Sequence, residues 1–273
     1  MMYVMKKKKI LKKVLIGLGI FVVLDIIVSI VLAGVMAGIG PFAFFHERKI
    51  KSAAGNAEKY SVQNYEVNGV DGLKGKKVLF LGSSVTKGAC SLDESVADYL
   101  EKADGIIIQK EAVSGTTLAT TKKNSYVERL KKIDTDKMYD CIIVQLSTND
   151  ASQKVELGTI SDSQNIEDFD TDTVCGAIEY IIRYCAIEFE CPLVFYTGTK
   201  YDSQEYEEMV NMLLKIQEKW DIGVIDLWND TDMNEVSERE YKLYMYDAIH
   251  PTRAGYGLWW TPKFETFLES YLQ

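Results

Sequence analysis

The sequence predicts an α/β domain, a parallel sheet with helices packed on both faces. Two observations carry that expectation. Five short apolar runs of strand character alternate with longer stretches of helical periodicity, the pattern of a parallel sheet whose crossovers are helices. The side chains best suited to chemistry fall after those runs or just before the last helical stretch. In an open α/β sheet that is where ligands bind, outside the carboxyl ends of the strands.

The expected strands are 77–81, 105–109, 141–146, 193–197 and 223–227. Between them, helices are expected over 92–102, 125–133, 173–189 and 205–220; the last carries Tyr206, Met209, Val210, Leu213 and Leu214 at helical spacing. A final helix is expected from Pro251, a residue favoured in the first helical turn, through Trp260 to Leu272. The pair Trp259-Trp260 reads as core packing.

Ahead of this domain, Lys6–Lys9, Lys12 and Lys13 precede an apolar stretch, 14–40, interrupted only by Asp25 and Ser29. It exceeds the roughly 20 residues that span a bilayer and the roughly 7–15 of a signal-peptide core. The expected organisation is therefore a basic flank and uncleaved membrane anchor over 1–40, a stalk over 41–74 and the domain over 75–273. Cleavage near the small residues Ala33 and Ala37 is the alternative. The basic flank stays in the cytoplasm, which puts the domain outside it. Asp25 reads as a tolerated, protonated carboxylic acid, and Gly34 and Gly38 have the spacing of a helix-packing pair. Within the stalk, Asn68-Gly69 and Asp71-Gly72 are turn signals, with a short strand expected at 65–67.

The net charge of −9 is unevenly spread: residues 1–50 carry eight Lys/Arg against two Asp/Glu, which leaves −15 for the rest. Such an acidic domain speaks against nucleic acid, whose phosphates demand clustered Lys/Arg. The five cysteines form no C-x-x-C pair. Cys141 reads as a buried small hydrophobe, and Cys185 with Cys191 as the pair that could bridge outside the cell. With one histidine in the globular part, the scattered cysteines leave no tetrahedral zinc set, so no metal is expected.

Ser84 follows the first expected strand in Gly82-Ser83-Ser84-Val85-Thr86. A serine is a weak nucleophile and needs a base. The chain has two histidines; His46 lies beside the membrane-like segment, which leaves His250 in Asp247-Ala248-Ile249-His250-Pro251. Pro251 pushes His250 away from helical backbone and into a loop. A serine that attacks, a histidine that moves its proton and an aspartate that orients the imidazole are the parts of acyl transfer. Backbone N–H groups and an asparagine amide suit the oxyanion that develops. Each residue also has a plain reading: Ser84 as a helix cap, Asn149-Asp150 as turn chemistry, Gly115 as a turn glycine, and Asp247 with His250 as a surface pair.

Taken together, Gly82-Ser83-Ser84-Val85-Thr86, Ser114-Gly115, Ser147-Thr148-Asn149-Asp150 and Asp247-x-x-His250 resemble the blocks of the SGNH (GDSL-type) hydrolases, over about residues 75–272. The resemblance implies a flavodoxin-like three-layer α/β/α sandwich with a five-stranded parallel sheet in the order 2-1-3-4-5. It also implies Ser84 as nucleophile, His250 as base and Asp247 as its partner. The oxyanion hole it implies is built from the Ser84 N–H, the Gly115 N–H and the Asn149 side chain. Two positions depart from the family pattern: Ser83 stands where aspartate is usual, and Ser147 where glycine is usual.

The expected function is a membrane-anchored, extracytoplasmic serine esterase, free of cofactors, that acts on a small acyl ester, with O-acetyl on a glycan as the favoured substrate. An acyltransferase and a catalytically silent envelope-binding scaffold are the competing readings.

Overall fold

A computed structural model describes residues 2–37, 43–66, 69 and 71–272. The chain forms two compact units, Met1–Ser52 and Ala53–Gln273.

The first unit holds α1 (Met2–Ala37) and α2 (Ala43–Ser52). Within α1, Lys13–Leu32 is a 20-residue stretch of mean hydropathy 2.9, long and apolar enough to cross a membrane. Leu18, Phe21 and Ile30 stand exposed along it. Gly38, one half of the expected helix-packing pair, lies outside the described residues.

The stalk expected over 41–74 is corrected. Residues 43–52 are helical, and the second unit begins at Ala53 rather than at 75. Three 3-10 turns, Ala54–Asn56, Glu58–Tyr60 and Val62–Asn64, dock on the domain through distant partners. The Asn56 amide donates to the Cys90 carbonyl at 2.8 Å, and its oxygen accepts from the Arg253 N–H at 2.9 Å. The Val62 N–H donates to Glu94 at 2.9 Å, and the Tyr65 ring meets Tyr99 edge-on at 5.2 Å. Local composition is blind to such partners. Tyr65 and Glu66 belong to no strand, and Val67 lies outside the described residues.

The second unit is built on β1 (Lys77–Gly82), β2 (Ile107–Ala112), β3 (Cys141–Gln145), β4 (Leu193–Tyr196) and β5 (Gly223–Ile225). All pairs are parallel, in the order β2-β1-β3-β4-β5. Its helices are α3 (Ser84–Lys87), α4 (Val96–Asp104), α5 (Tyr126–Leu130), α6 (Thr148–Ser152), α7 (Val174–Glu188), α8 (Gln204–Trp220), α9 (Thr231–Asn234), α10 (Glu238–Tyr244), α11 (Arg253–Gly255) and α12 (Thr261–Tyr271).

Side chains alternate across each strand, so the sheet feeds two cores. Leu79, Leu81, Ile142, Val144 and Phe195 pack with α5, α7 and α8. Val78, Phe80, Ile143, Val194 and Tyr196 pack with α4 and α12, where Trp260 and Phe264 are fully buried. That makes three layers. Each such buried side chain contributes about 1.5–3 kcal/mol of hydrophobic transfer.

Several boundaries move, and three of them have a clear physical reason. The helix expected from 92 starts at Val96, because Leu92 and Asp93 adopt left-handed backbone (φ 59° and 63°) and Ser95 with Asp98 forms a capping box. That helix then runs to Asp104, so β2 starts at Ile107 and continues through the polar Lys110-Glu111. As an edge strand, β2 is only partly covered and tolerates polar side chains. The last helix starts at Arg253, not Pro251: Pro251 bridges to Met245, and the Thr252 hydroxyl caps the helix by accepting from the Gly255 N–H at 3.2 Å. A π-helical turn, Tyr256–Trp260, links α11 to α12.

Candidate active site

The strand order reverses at β1, with β2 on one side and β3 on the other, which is where such sheets bind ligands. Ser84 follows β1, Gly115 follows β2 and Asn149 follows β3.

Ser84 is the first residue of α3, and Ser83 rather than Ser84 is the cap residue. An N–H at the first position of a helix has no intrahelical partner, so the Ser84 amide is one of the donors the fold leaves over. Reaching this turn requires a glycine before it: a Cβ on Gly82 would collide with the Thr86 hydroxyl and the side-chain oxygen of Gln145.

The Ser84 hydroxyl lies 2.8 Å from His250 Nε2. On the far side of the ring, Nδ1 lies 2.9 Å from both Asp247 oxygens. The loop that carries both residues is closed at its base. The Tyr246 N–H donates to the His250 carbonyl at 2.9 Å, and Met245 pairs with Pro251. Asp247 Oδ1 also accepts the backbone N–H groups of Ile249 and His250, each at 2.8 Å. Burial raises the Asp247 carboxyl, but bonds from the His250 ring and these two amides outweigh it and hold it below the usual range. An ionised carboxylate only accepts, so the ring proton sits on Nδ1 and the Nε2 lone pair faces the serine hydroxyl.

The other predicted residues come to the same end of the sheet. Gly115 is exposed, with φ +80°, a backbone state that glycine adopts without penalty. The Asn149 amide donates to the Thr116 carbonyl at 3.0 Å; an amide nitrogen has two N–H donors, so a second remains. Ser147 has a clear task in place of the usual glycine: its hydroxyl accepts from the Asn149 N–H at 3.2 Å, caps α6 and donates to the Thr116 carbonyl at 3.3 Å.

Two bracing residues, Gln145 and Arg129, escaped the sequence reading, and a third, Asp150, reads there only as turn chemistry. The side-chain oxygen of Gln145, Oε1, accepts from the Ser83 N–H at 3.0 Å and the Thr86 hydroxyl at 2.8 Å. It also takes weaker bonds from the Ser83 hydroxyl and the Thr86 N–H, both at 3.3 Å. It thus braces the turn that Ser83, standing in for aspartate, would otherwise leave loose. Arg129 is 6% exposed and spends all five N–H donors. They go to Gly82 O (2.7 Å), Glu111 O (2.9 Å), Thr116 Oγ1 (3.1 Å), Asn124 O (3.1 Å) and Glu111 Oε1 (3.2 Å). Asp150 is fully buried and accepts from the Leu118 and Ala119 amides at 2.8 and 3.2 Å, which ties the loop beyond Gly115 to α6. The signals were present but small: a lone polar residue inside the apolar run Cys141–Leu146, and a lone arginine on the apolar face of 125–133.

The five cysteines are free thiols, so Cys185 and Cys191 do not bridge; Cys141 is buried as expected.

A model of the GDSL-like lipase/acylhydrolase family matches residues 80–258. No curated protein sequence matches the chain. Among solved structures, a protein from Lactobacillus plantarum is similar at TM-score 0.61 and 19% identity, over 72% of this chain and 98% of that one. The acetyl xylan esterase AlAXEase is similar at TM-score 0.51 and 15% identity, over 70% of this chain and 98% of that one. A family two carbohydrate esterase from Clostridium thermocellum, solved with cellohexaose, is similar at TM-score 0.52 and 13% identity, over 72% of this chain and 64% of that one. At these identities the likeness is one of fold.

Proposed function

Since the chain belongs to the GDSL-like lipase/acylhydrolase family, we propose that it is a membrane-anchored serine esterase that removes a small acyl group, acetyl foremost, from a glycan outside the cytoplasm. The observation that carries the chemistry is the unbroken line from the Ser84 hydroxyl through His250 to Asp247, at 2.8 and 2.9 Å.

In this reading Ser84 Oγ attacks the ester carbonyl while His250 Nε2 takes its proton. Asp247 holds the ring and stabilises the imidazolium. The Ser84 and Gly115 N–H groups and the second Asn149 N–H receive the oxyanion. His250 returns the proton to the departing alcohol, and water, activated by the same imidazole, frees Ser84 with release of the acid. No cofactor enters.

Three things support the substrate class and location. Lys13–Leu32 has the length and hydropathy of a span, with the lysine cluster before it. The loop that carries His250 is short and closed by the Met245–Pro251 bridge, which gives it little reach to cover a long acyl chain. Two proteins of similar fold are an acetyl xylan esterase and a carbohydrate esterase. Against a silent scaffold stands the way both departures are absorbed, Ser83 by Gln145 and Ser147 as the cap of α6.

The test is fluorophosphonate labelling of the wild type, Ser84→Ala and His250→Ala, followed by turnover of acetylated glycans beside long-chain esters. Labelling that requires Ser84 and acetate release from glycans are the expected results. Long-chain preference would sink the substrate assignment, transfer without release of free acid would favour the acyltransferase, and no labelling of folded protein would overturn the enzyme reading.

A further inference from the structure

One thiol beside the site has no part in the reaction. Cys90 lies just beyond α3, buried to 7% exposure, and its carbonyl is held by the Asn56 amide. Its Sγ, an Asp247 oxygen and a His250 ring nitrogen all lie within 4.8 Å of one another. A thiolate, an imidazole and a carboxylate are the donors that zinc selects, at roughly 2.0–2.3 Å each. Ligands at those distances from one tetrahedral ion stand about 3.3–3.8 Å apart, so side-chain shifts of about an ångström close the set. The Asp247 side chain is 46% exposed and that of His250 22%, so water can supply a fourth ligand.

We infer that Cys90, Asp247 and His250 form an inhibitory zinc site. The His250 nitrogen that faces Asp247 is Nδ1, and zinc takes the place of the proton there. Binding displaces the Cys90 thiol proton to solvent and moves the imidazole proton from Nδ1 to Nε2; nothing is oxidised or reduced. With its proton on Nε2, the ring donates to Ser84 and can no longer accept from it. Inhibition in this form rests on the proposed triad, whereas zinc binding does not. The sequence alone leaves no zinc set because Cys90 and His250 meet only through the fold.

The experiment uses the full chain in detergent. Zn2+ binding is measured by calorimetry, Co2+ absorption reports thiolate ligation, and fluorophosphonate labelling reports Ser84. The expected results are one zinc ion per chain, a thiolate-to-cobalt charge-transfer band, and labelling that zinc blocks and chelator restores. Cys90→Ala and Cys90→Ser should lose the band and need at least tenfold more zinc for the same block, while labelling normally without zinc. Zinc binding unchanged in both variants, or no charge-transfer band in the wild type, overturns the site. Zinc bound through Cys90 with labelling unaffected overturns its inhibitory role. If no form labels at all, the triad reading fails, and calorimetry with the cobalt band still decides the site.

Discussion

Arg129 Nη2 donates to the Gly82 carbonyl at 2.7 Å, and Gly82 closes the strand that delivers Ser84 two residues later. The same guanidinium holds Glu111 at the end of β2 and the Thr116 hydroxyl beside Gly115. One buried cation therefore sets the spacing between the serine turn and the glycine turn. Arg129→Met should leave the Glu111 and Asn124 carbonyls short of a donor, at about 1–3 kcal/mol for each that water does not reach. The Gly82 carbonyl then keeps only its 3.2 Å bond from the Val113 N–H. Calorimetric unfolding should show a lower Tm, and kcat should fall about tenfold or more with KM little changed. Arg129→Lys keeps the charge without the planar fork and should lie between the two. Unchanged kcat in a folded Arg129→Met protein would remove Arg129 from any positioning role.

Replacement of Ser84 by alanine should lower ester turnover by about six orders of magnitude, and Asp247→Asn by about four. In the asparagine variant the amide turns a donor toward Nδ1, which moves the imidazole proton to Nε2. The double variant Ser84→Ala/Asp247→Asn should be no worse than Ser84→Ala, since the residues act as a unit. Steady-state kinetics on a short acyl ester decides this, and additive losses would count against the triad.

A Cβ added to Gly115 meets open space, so its only obstacle is the positive φ of 80°. Gly115→Ala should therefore cost about 1–2 kcal/mol in stability. Relaxation of that strain turns the peptide N–H away, so kcat should fall further than a distant mutation of equal stability cost. Full activity in the alanine variant would take the Gly115 amide out of the oxyanion hole.

The Asp150 carboxyl is raised to about 6 by burial, against the bonds from Ser147 and the Leu118 and Ala119 amides that lower it. The folded protein thus holds a proton that the unfolded chain releases near the usual carboxylate value. This contribution to stability is fully present below that value and declines as pH rises toward 6. Asp150→Asn removes the titration. The Tm difference, wild type minus variant, should shrink as pH rises through this window. A difference that grows would reverse the assignment.

The blocks around Ser84, Gly115, Asn149 and His250 were legible because each sits at a strand end or in a loop, where turn residues and apolar runs mark position locally. Gln145 and Arg129 were not, because each does its work by bonding to groups far along the chain. The docking of 53–66 was hidden for the same reason: Asn56 reaches Cys90 and Arg253, and Tyr65 meets Tyr99. The edges of β2 and α4 moved because left-handed backbone at Leu92 and Asp93 and the exposure of an edge strand outweigh apolar pattern.

The sequence by itself determined the alternation of strands and helices, the parallel sheet and the apolar amino-terminal stretch, and it singled out Ser84, His250 and Asp247 as candidates. Those follow from periodicity, composition and a shortage of alternatives, all of which are local or countable. Only the tertiary structure decided that His250 stands 2.8 Å from Ser84, that Arg129 and Gln145 brace the turn between them, and that Cys90 faces the Asp247–His250 pair. Such contacts join residues many positions apart, and what selects them is the burial of two faces of one sheet, which no local window of sequence contains.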